Sequence, residues 1–248
     1  MSNKRIELSG TVHVRFADEN LFEDNERELW DYSKCDVLAL CEYNTMNRLP
    51  RFVTRCMTYG IKPLCGVSFL LETPENCLTR LINIVCYAEN EHGTEELEYL
   101  CYHCDDGEIK YEDFCKHSKH LQVGLSIIYD ESCMIAIENI LNTVFIPDFV
   151  VIDEEQYGYR SWKICEKIFQ ERNILICGSA FSVDCRIDDE IIIKEDFAPY
   201  GEKAYEYVIE NPRKIADRIS GNYKFNIPLI EEIYKLKNYP DEYMMSLK

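Results

Sequence analysis

The densest gathering of chemically capable side chains is Cys101-Tyr102-His103-Cys104, followed shortly by Cys115-Lys116-His117-Ser118-Lys119-His120. Paired thiolates and imidazoles offered by two short elements are how a chain holds a structural zinc ion. Cys101, Cys104, Cys115, His117 and His120 are therefore a candidate zinc site, and the chain a candidate zinc-stabilised binding module. The intervening DDGEIKYED reads as a turn. Two features oppose zinc. The spacing is not that of a standard zinc module, and Cys101 shares an apolar stripe with Leu97 and Leu100, which suits a buried helix position. His13, near the end of a strand pattern, is a candidate general base. A lone histidine there is read in preference as a hydrogen-bonded side chain at a strand end.

Other chemistries lack their residues. There is no Gly-rich phosphate cradle and no serine nucleophile elbow. Acidic groups cluster at Asp18-Glu19-Asn20, Glu23–Glu28, Asp105–Glu108 and Asp188–Glu190, where solvated loops and first-turn carboxylates are the common reading. Asp18-Glu19-Asn20 lacks the Gly-punctuated spacing of a calcium loop. With 45 acidic against 27 basic residues the net charge is −18. Such a chain repels phosphate backbones, so direct nucleic-acid binding is not expected and the expected partners are proteins or cations. Tyr and Phe interleave with acids rather than bases, unlike a single-strand-binding platform.

The elements that must position these residues are legible as short apolar runs alternating with helical patterns. Strands are predicted at Ile6–Val14, Val37–Tyr43, Pro63–Leu71, Leu81–Ala88, Val123–Ile128, Phe149–Asp153 and Asn173–Gly178. Helical stripes are Leu49, Phe52, Val53, Cys56 and Met57; Leu97, Leu100 and Cys101; Met134, Ile135, Ile137, Ile140 and Leu141; and Trp162, Cys165, Ile168 and Phe169. This alternation predicts an α/β fold with a mainly parallel sheet, open or closed into a barrel. Gly201–Arg218 reads as a helix interrupted at Asn211-Pro212, opening a C-terminal helical extension over 201–248 beside a barrel over 1–200. The 13 cysteines are odd in number, and Cys41, Cys65, Cys86 and Cys177 lie inside strand patterns, as reduced core thiols do. Met1–Arg5 runs into Ile6-Glu7-Leu8 without a signal-peptide core, and no apolar run is long enough for a membrane span. A cytoplasmic protein is expected, without membrane attachment.

Several of these segments resemble one family. Gly60-Ile61-Lys62-Pro63-Leu64-Cys65-Gly66-Val67 is similar to the "GIKxxxGVE" strand of the polymerase-and-histidinol-phosphatase (PHP) domain. Val37–Asn44 stands where that family has "AIAxTDHG", and Ile84–Gly93 resembles "TLLAKNxxG". Gly201–Asp217, GEKAYEYVIENPRKIAD, resembles the end of the PHP region in the PolC-type alpha subunit of bacterial DNA polymerase III. The motifs keep their order from about Ile6 to Ile219. The resemblance implies a distorted TIM-like (β/α)7 PHP barrel and a context in DNA replication or repair. In that polymerase an exonuclease is inserted where this chain has only ETPENCLTRL, so neither exonuclease nor polymerase palm is expected.

The resemblance also implies where metal ligands should stand. PHP domains hold two or three metal ions at the strand ends with His, Asp and Glu, which together generate a hydroxide. The His-x-His pair falls on Thr11 and His13. The Asp-His-Gly motif reads Glu42-Tyr43-Asn44. The acid of "GVE" is Ser68, and the histidine of the next strand falls on Asn83. Ile128 and Tyr129 stand where the family has Cys-Glu, with Asp130 and Asp184 as conceivable neighbours. The final Gly-Asp-Val-His reads Gly178-Ser179-Ala180-Phe181. Thr11, His13, Glu42, Tyr43, Ser68, Asn83, Ser179 and Phe181 are thus expected to be vestigial site positions converging at one end of the barrel. His13 and Glu42 are too few for a multinuclear centre. The expectation is a pseudoenzyme without bound cofactor, serving as a structural or protein-interaction module. The alternative is a metal-dependent phosphoesterase with rearranged ligands.

Overall fold

The structure is a computed structural model and describes residues 37–105, 107–126, 133–152, 162–178 and 197–236. The elements run β1 (Val37–Tyr43), α1 (Leu49–Thr58), β2 (Lys62–Glu72), β3 (Leu81–Ala88), α2 (Glu91–His103), β4 (Glu108–Ile109), α3 (Tyr111–Lys116), β5 (Leu121–Ser126), α4 (Cys133–Thr143), β6 (Phe149–Ile152), α5 (Trp162–Glu171) and β7 (Leu175–Gly178). They form one curled sheet in the order β1-β2-β3-β5-β6-β7, with β4 added beside β2. The predicted strand Ile6–Val14 lies outside the described residues. Among those residues no helix is long and apolar enough to cross a membrane.

The predicted parallel alternation fails at one strand. β1/β2, β2/β4, β5/β6 and β6/β7 are parallel, whereas β3 is antiparallel to both β2 and β5. The cause is the link between β2 and β3, residues 73–80, which contains no helix. It is too short for a crossover, so the chain turns back on itself. Thr73 fixes the turn by donating its hydroxyl to the Thr79 carbonyl. β4 and α3 were not anticipated: a two-residue strand and a six-residue helix carry too little periodicity to read.

Side chains alternate between two cores. Leu38, Leu40, Cys65, Val67, Phe69, Ile84, Cys86 and Leu125 face the helices, where Leu49, Phe52, Leu97, Leu100, Ile137, Trp162 and Phe169 meet them. Val37, Ala39, Cys41, Leu64, Val85, Tyr87, Phe149, Val151 and Cys177 occupy the opposite face. Cys41, Cys65, Cys86 and Cys177 are buried thiols in strands, and burial pushes the thiols of Cys65 and Cys86 well up.

The C-terminal segment reaches both cores. A 3-10 turn (Ala198–Tyr200) precedes a helical run made of α6 (Lys203–Tyr205), a wide π turn (Glu206–Glu210) and α7 (Asn211–Arg218). The predicted interruption at Asn211-Pro212 is this π turn rather than a break. Pro212 has no N–H, and its ring crowds the carbonyl four residues back, on Val208, so the turn widens while the helix continues. Asn211 anchors the run, donating its amide to the Ile176 carbonyl at 2.9 Å. Ala204, Tyr207 and Val208 join the helix-side core, whereas Ile215, Ala216 and Ile219 cover the other face. The chain then returns past β2, where the Tyr223 hydroxyl accepts from Cys65 N–H and donates to the Pro63 carbonyl. It ends in α8 (Ile227–Leu236), secured where Asn226 N–H donates to the Glu98 carboxylate at 2.6 Å.

Candidate functional site

β1, β2 and β5 end at the rim where the antiparallel β3 begins. Tyr43 is paired with Ser68, Leu70 with Asn83, and Asn83 with Ser126. By strand alternation Tyr43, Ser68, Asn83 and Ser126 share the face opposite the helices, continuing the row of Ala39, Cys41, Leu64 and Val85. The structure therefore brings Tyr43, Ser68 and Asn83 together at one rim. Ser68 is buried, and its hydroxyl lies 3.5 Å from the Glu42 carbonyl. The Asn83 Oδ1 is buried without a hydrogen-bond partner. The Tyr43 side chain extends to the turn before β4, where a Cβ on Gly107 would collide with its hydroxyl and where φ is +87°. Glycine is required there on both counts.

Glu42 does not join them. It lies on the helix side with Leu38 and Leu40, buried at the head of α1. Its Oε2 accepts the Arg48 N–H at 2.9 Å and so fixes the residue from which α1 starts. Burial drives its pKa up to about 7, against the opposing pull of the Arg48 amide and guanidinium. Period-two alternation separates Glu42 from Tyr43 in the sequence alone, and that signal was available. Thr11, His13, Ser179 and Phe181, with Ile128, Tyr129, Asp130 and Asp184, lie outside the described residues.

The floor of this face is filled with rings. A Cβ on Gly66 would come within 2.6 Å of the Tyr87 ring, and one on Gly124 would overlap the Phe149 ring. The two rings are 6.3 Å apart. Both glycines thus make room for an aromatic side chain from the neighbouring strand. The Tyr87 hydroxyl is buried without a partner, and burial pushes the phenol well up.

The family's metal centre can be tested against these donors. At the described positions matched to ligands the rim supplies a phenol, a hydroxyl and a carboxamide, and the carboxylate of Glu42 is on the other side of the sheet. Such a set lacks the imidazoles and carboxylates that zinc, manganese or iron requires. These residues do not fit the group.

The five members of the candidate zinc set are engaged separately. Cys101 and Cys104 are buried in the helix-side core, because the inward stripe of α2 carries Cys101 with Leu97 and Leu100. Cys115 is exposed on α3. The His117 ring stacks on Tyr99 at 3.6 Å, and the His120 Nδ1 lies 3.0 Å from Glu96 Oε1. Among the described residues no group of three His, Cys, Asp or Glu side chains is arranged to hold an ion.

No protein-family model matches this chain, and no curated protein matches its sequence. A search of solved structures returns a protein from Bifidobacterium adolescentis, provisionally named a metal-dependent phosphoesterase. The alignment covers 75% of this chain and 86% of that one, at 10% identity and a TM-score of 0.40. At that level neither architecture nor chemistry transfers from one protein to the other.

Proposed function

We propose that this chain is a PHP-like α/β protein, nearest in pattern to the PolC type, that has kept the fold without the hydrolytic centre. It serves as a structural or protein-binding module, and its sequence resemblance points to a role beside DNA replication or repair. One observation carries the reading. At the described positions where the family has metal-binding side chains, the rim presents Tyr43, Ser68 and Asn83, while Glu42 is committed to the head of α1. Hydrolysis of a phosphoester by a metal-bound hydroxide needs anionic and imidazole ligands in that place. The aromatic floor of Tyr87 and Phe149 supports the same reading, since it packs the face as a core.

The test is turnover of a phosphomonoester and of single-stranded DNA by the full chain, with manganese, zinc or magnesium added. The expected result is none above a chain carrying both His13→Ala and Glu42→Gln. Wild-type turnover that falls by roughly a hundredfold in His13→Ala, as loss of a ligand or general base would give, overturns the proposal. It would favour a phosphoesterase with rearranged ligands.

A further inference from the structure

The opposite rim carries the feature that neither the fold nor the proposed function absorbs. There β3 ends and β5 begins, and the first turn of α2 meets the turn before β5. His92 and His120 face each other across this junction, ring centroids 5.4 Å apart and planes inclined by 46°. Each imidazole has a carboxylate on its Nδ1: Glu95 Oε2 at 3.4 Å for His92, and Glu96 Oε1 at 3.0 Å for His120. In the tautomer that donates from Nδ1 to the carboxylate, Nε2 keeps its lone pair, which is how metal-binding histidines are oriented.

The backbone around the pair is fixed on every side. The His92 N–H donates to Asn90 Oδ1, the cap of α2, at 2.9 Å. The His120 N–H donates to Glu96 Oε2 at 2.8 Å, so one carboxylate holds both the backbone and the ring of that residue. The His120 carbonyl accepts from Glu89 N–H at 3.0 Å. A Cβ on Gly93 would collide with that same carbonyl, so this glycine is what lets the helix close on the turn. The Glu96 side chain is 13% exposed, His120 33% and His92 62%, which leaves one side of the pair open to solvent.

We propose that His92 and His120 form an open binding site for a borderline divalent transition metal, of the zinc, nickel or copper class, with Glu96 and Glu95 as positioning residues. Two imidazoles select such ions over magnesium or calcium, which prefer oxygen. The remaining coordination positions belong to water or to a side chain of a docked protein. The site lies at the end of the sheet away from Tyr43, Ser68 and Asn83, and it does not depend on the proposed loss of hydrolytic chemistry.

The test is a calorimetric titration of the untagged full chain with zinc alone, repeated with nickel and with magnesium. One zinc or nickel ion per chain is expected, and no magnesium. His92→Ala, at an exposed position, should fold as wild type by circular dichroism and lose at least tenfold in affinity. Glu96→Gln should weaken binding by tenfold or more through the ring it orients, and His117→Ala should change nothing. Nitrogen NMR of the imidazoles should move the Nε2 signals of His92 and His120 on addition of zinc. Absence of saturable zinc binding overturns the proposal. So does binding that survives His92→Ala, or that is lost in His117→Ala.

Discussion

Tyr43, Ser68, Asn83 and Ser126 stand where β1, β2 and β5 end; Glu89, Gln122, Arg218 and Asp148 stand where β3 ends and β5 and β6 begin. The second group forms a chain of contacts. The Gln122 amide donates to Glu89, Arg218 donates to Gln122 Oε1 at 3.2 Å and lies 3.5 Å from Asp148, and Asp148 accepts from Val123 N–H at 2.8 Å. His92 and His120 adjoin it. Among the described residues the first rim carries only the scattered carboxylates of Glu72 and Glu108 and leaves the Asn83 Oδ1 unpartnered, whereas the second gathers ionisable groups that satisfy one another. The denser network of ionisable contacts among the described residues therefore lies away from the rim where the parallel strands end. What persists at that rim is a packed aromatic face.

The comparison breaks most directly at the rings. Phe149 on one face and Phe69 on the other are both fully buried. Each Phe→Ala change should cost about 3–5 kcal/mol in chemical denaturation. A cheap Phe149→Ala would mean that the face beneath the first rim is loosely filled and not a core.

The next largest effect is pH-dependent and belongs to Glu42. Its pKa is about 7 in the native state against 4.5 for an unperturbed carboxyl. The folded chain holds that proton more tightly, so this group contributes stability below about pH 4.5, and the contribution is lost as pH rises to about 7. The loss is roughly 3 kcal/mol at most, since each tenfold change in proton affinity is worth about 1.4 kcal/mol. Glu42→Gln keeps an acceptor for the Arg48 amide and removes the titration. Unfolding free energies of wild type and variant, measured from pH 4 to 8, should diverge in favour of the variant as pH rises. Parallel profiles would mean that Glu42 is solvated, and would reopen it as a site residue.

Two tyrosines sharpen the contrast further. The Tyr87 hydroxyl is buried and unpartnered, whereas the Tyr207 hydroxyl donates to Glu166 and accepts from Gln170. Tyr87→Phe should be neutral or stabilise by up to about 2 kcal/mol, since it removes a desolvated polar atom. Tyr207→Phe should destabilise by about 1.5–3 kcal/mol, the worth of a hydrogen bond to a charged group. Equal losses in thermal melts would remove the distinction. The smallest effect is expected from Arg218→Ala. That ion pair is partly exposed, at 47% and 35% for its two side chains. Its loss should cost less than about 1 kcal/mol, and less again in high salt.

Much of this was legible in the residues. Val37–Tyr43 and Leu81–Ala88 are strands at their predicted bounds, because short apolar runs bordered by turns have the length of a strand and not of a helix. Direction was not legible. The reversal at β3 depends on the absence of a helix in residues 73–80, a property of the link and not of the strand. The rim was half legible: Tyr43, Ser68 and Asn83 fall together, but Glu42 was assigned by its motif, and the strand's own alternation puts it across the sheet. The pairing of His92 with His120 was not visible. The two residues come from elements separated in sequence, and a glycine at 93 sets their approach.

The central claim is that the strand-end rim does not hold a catalytic metal centre. The direct measurement is metal stoichiometry by mass spectrometry on untagged His92→Ala protein, purified without chelator, so that an ion on the opposite rim is removed from the count. The account predicts no retained ion and no phosphoester turnover. Two or more ions per chain, lost together with turnover when His13 is replaced by alanine, would contradict it.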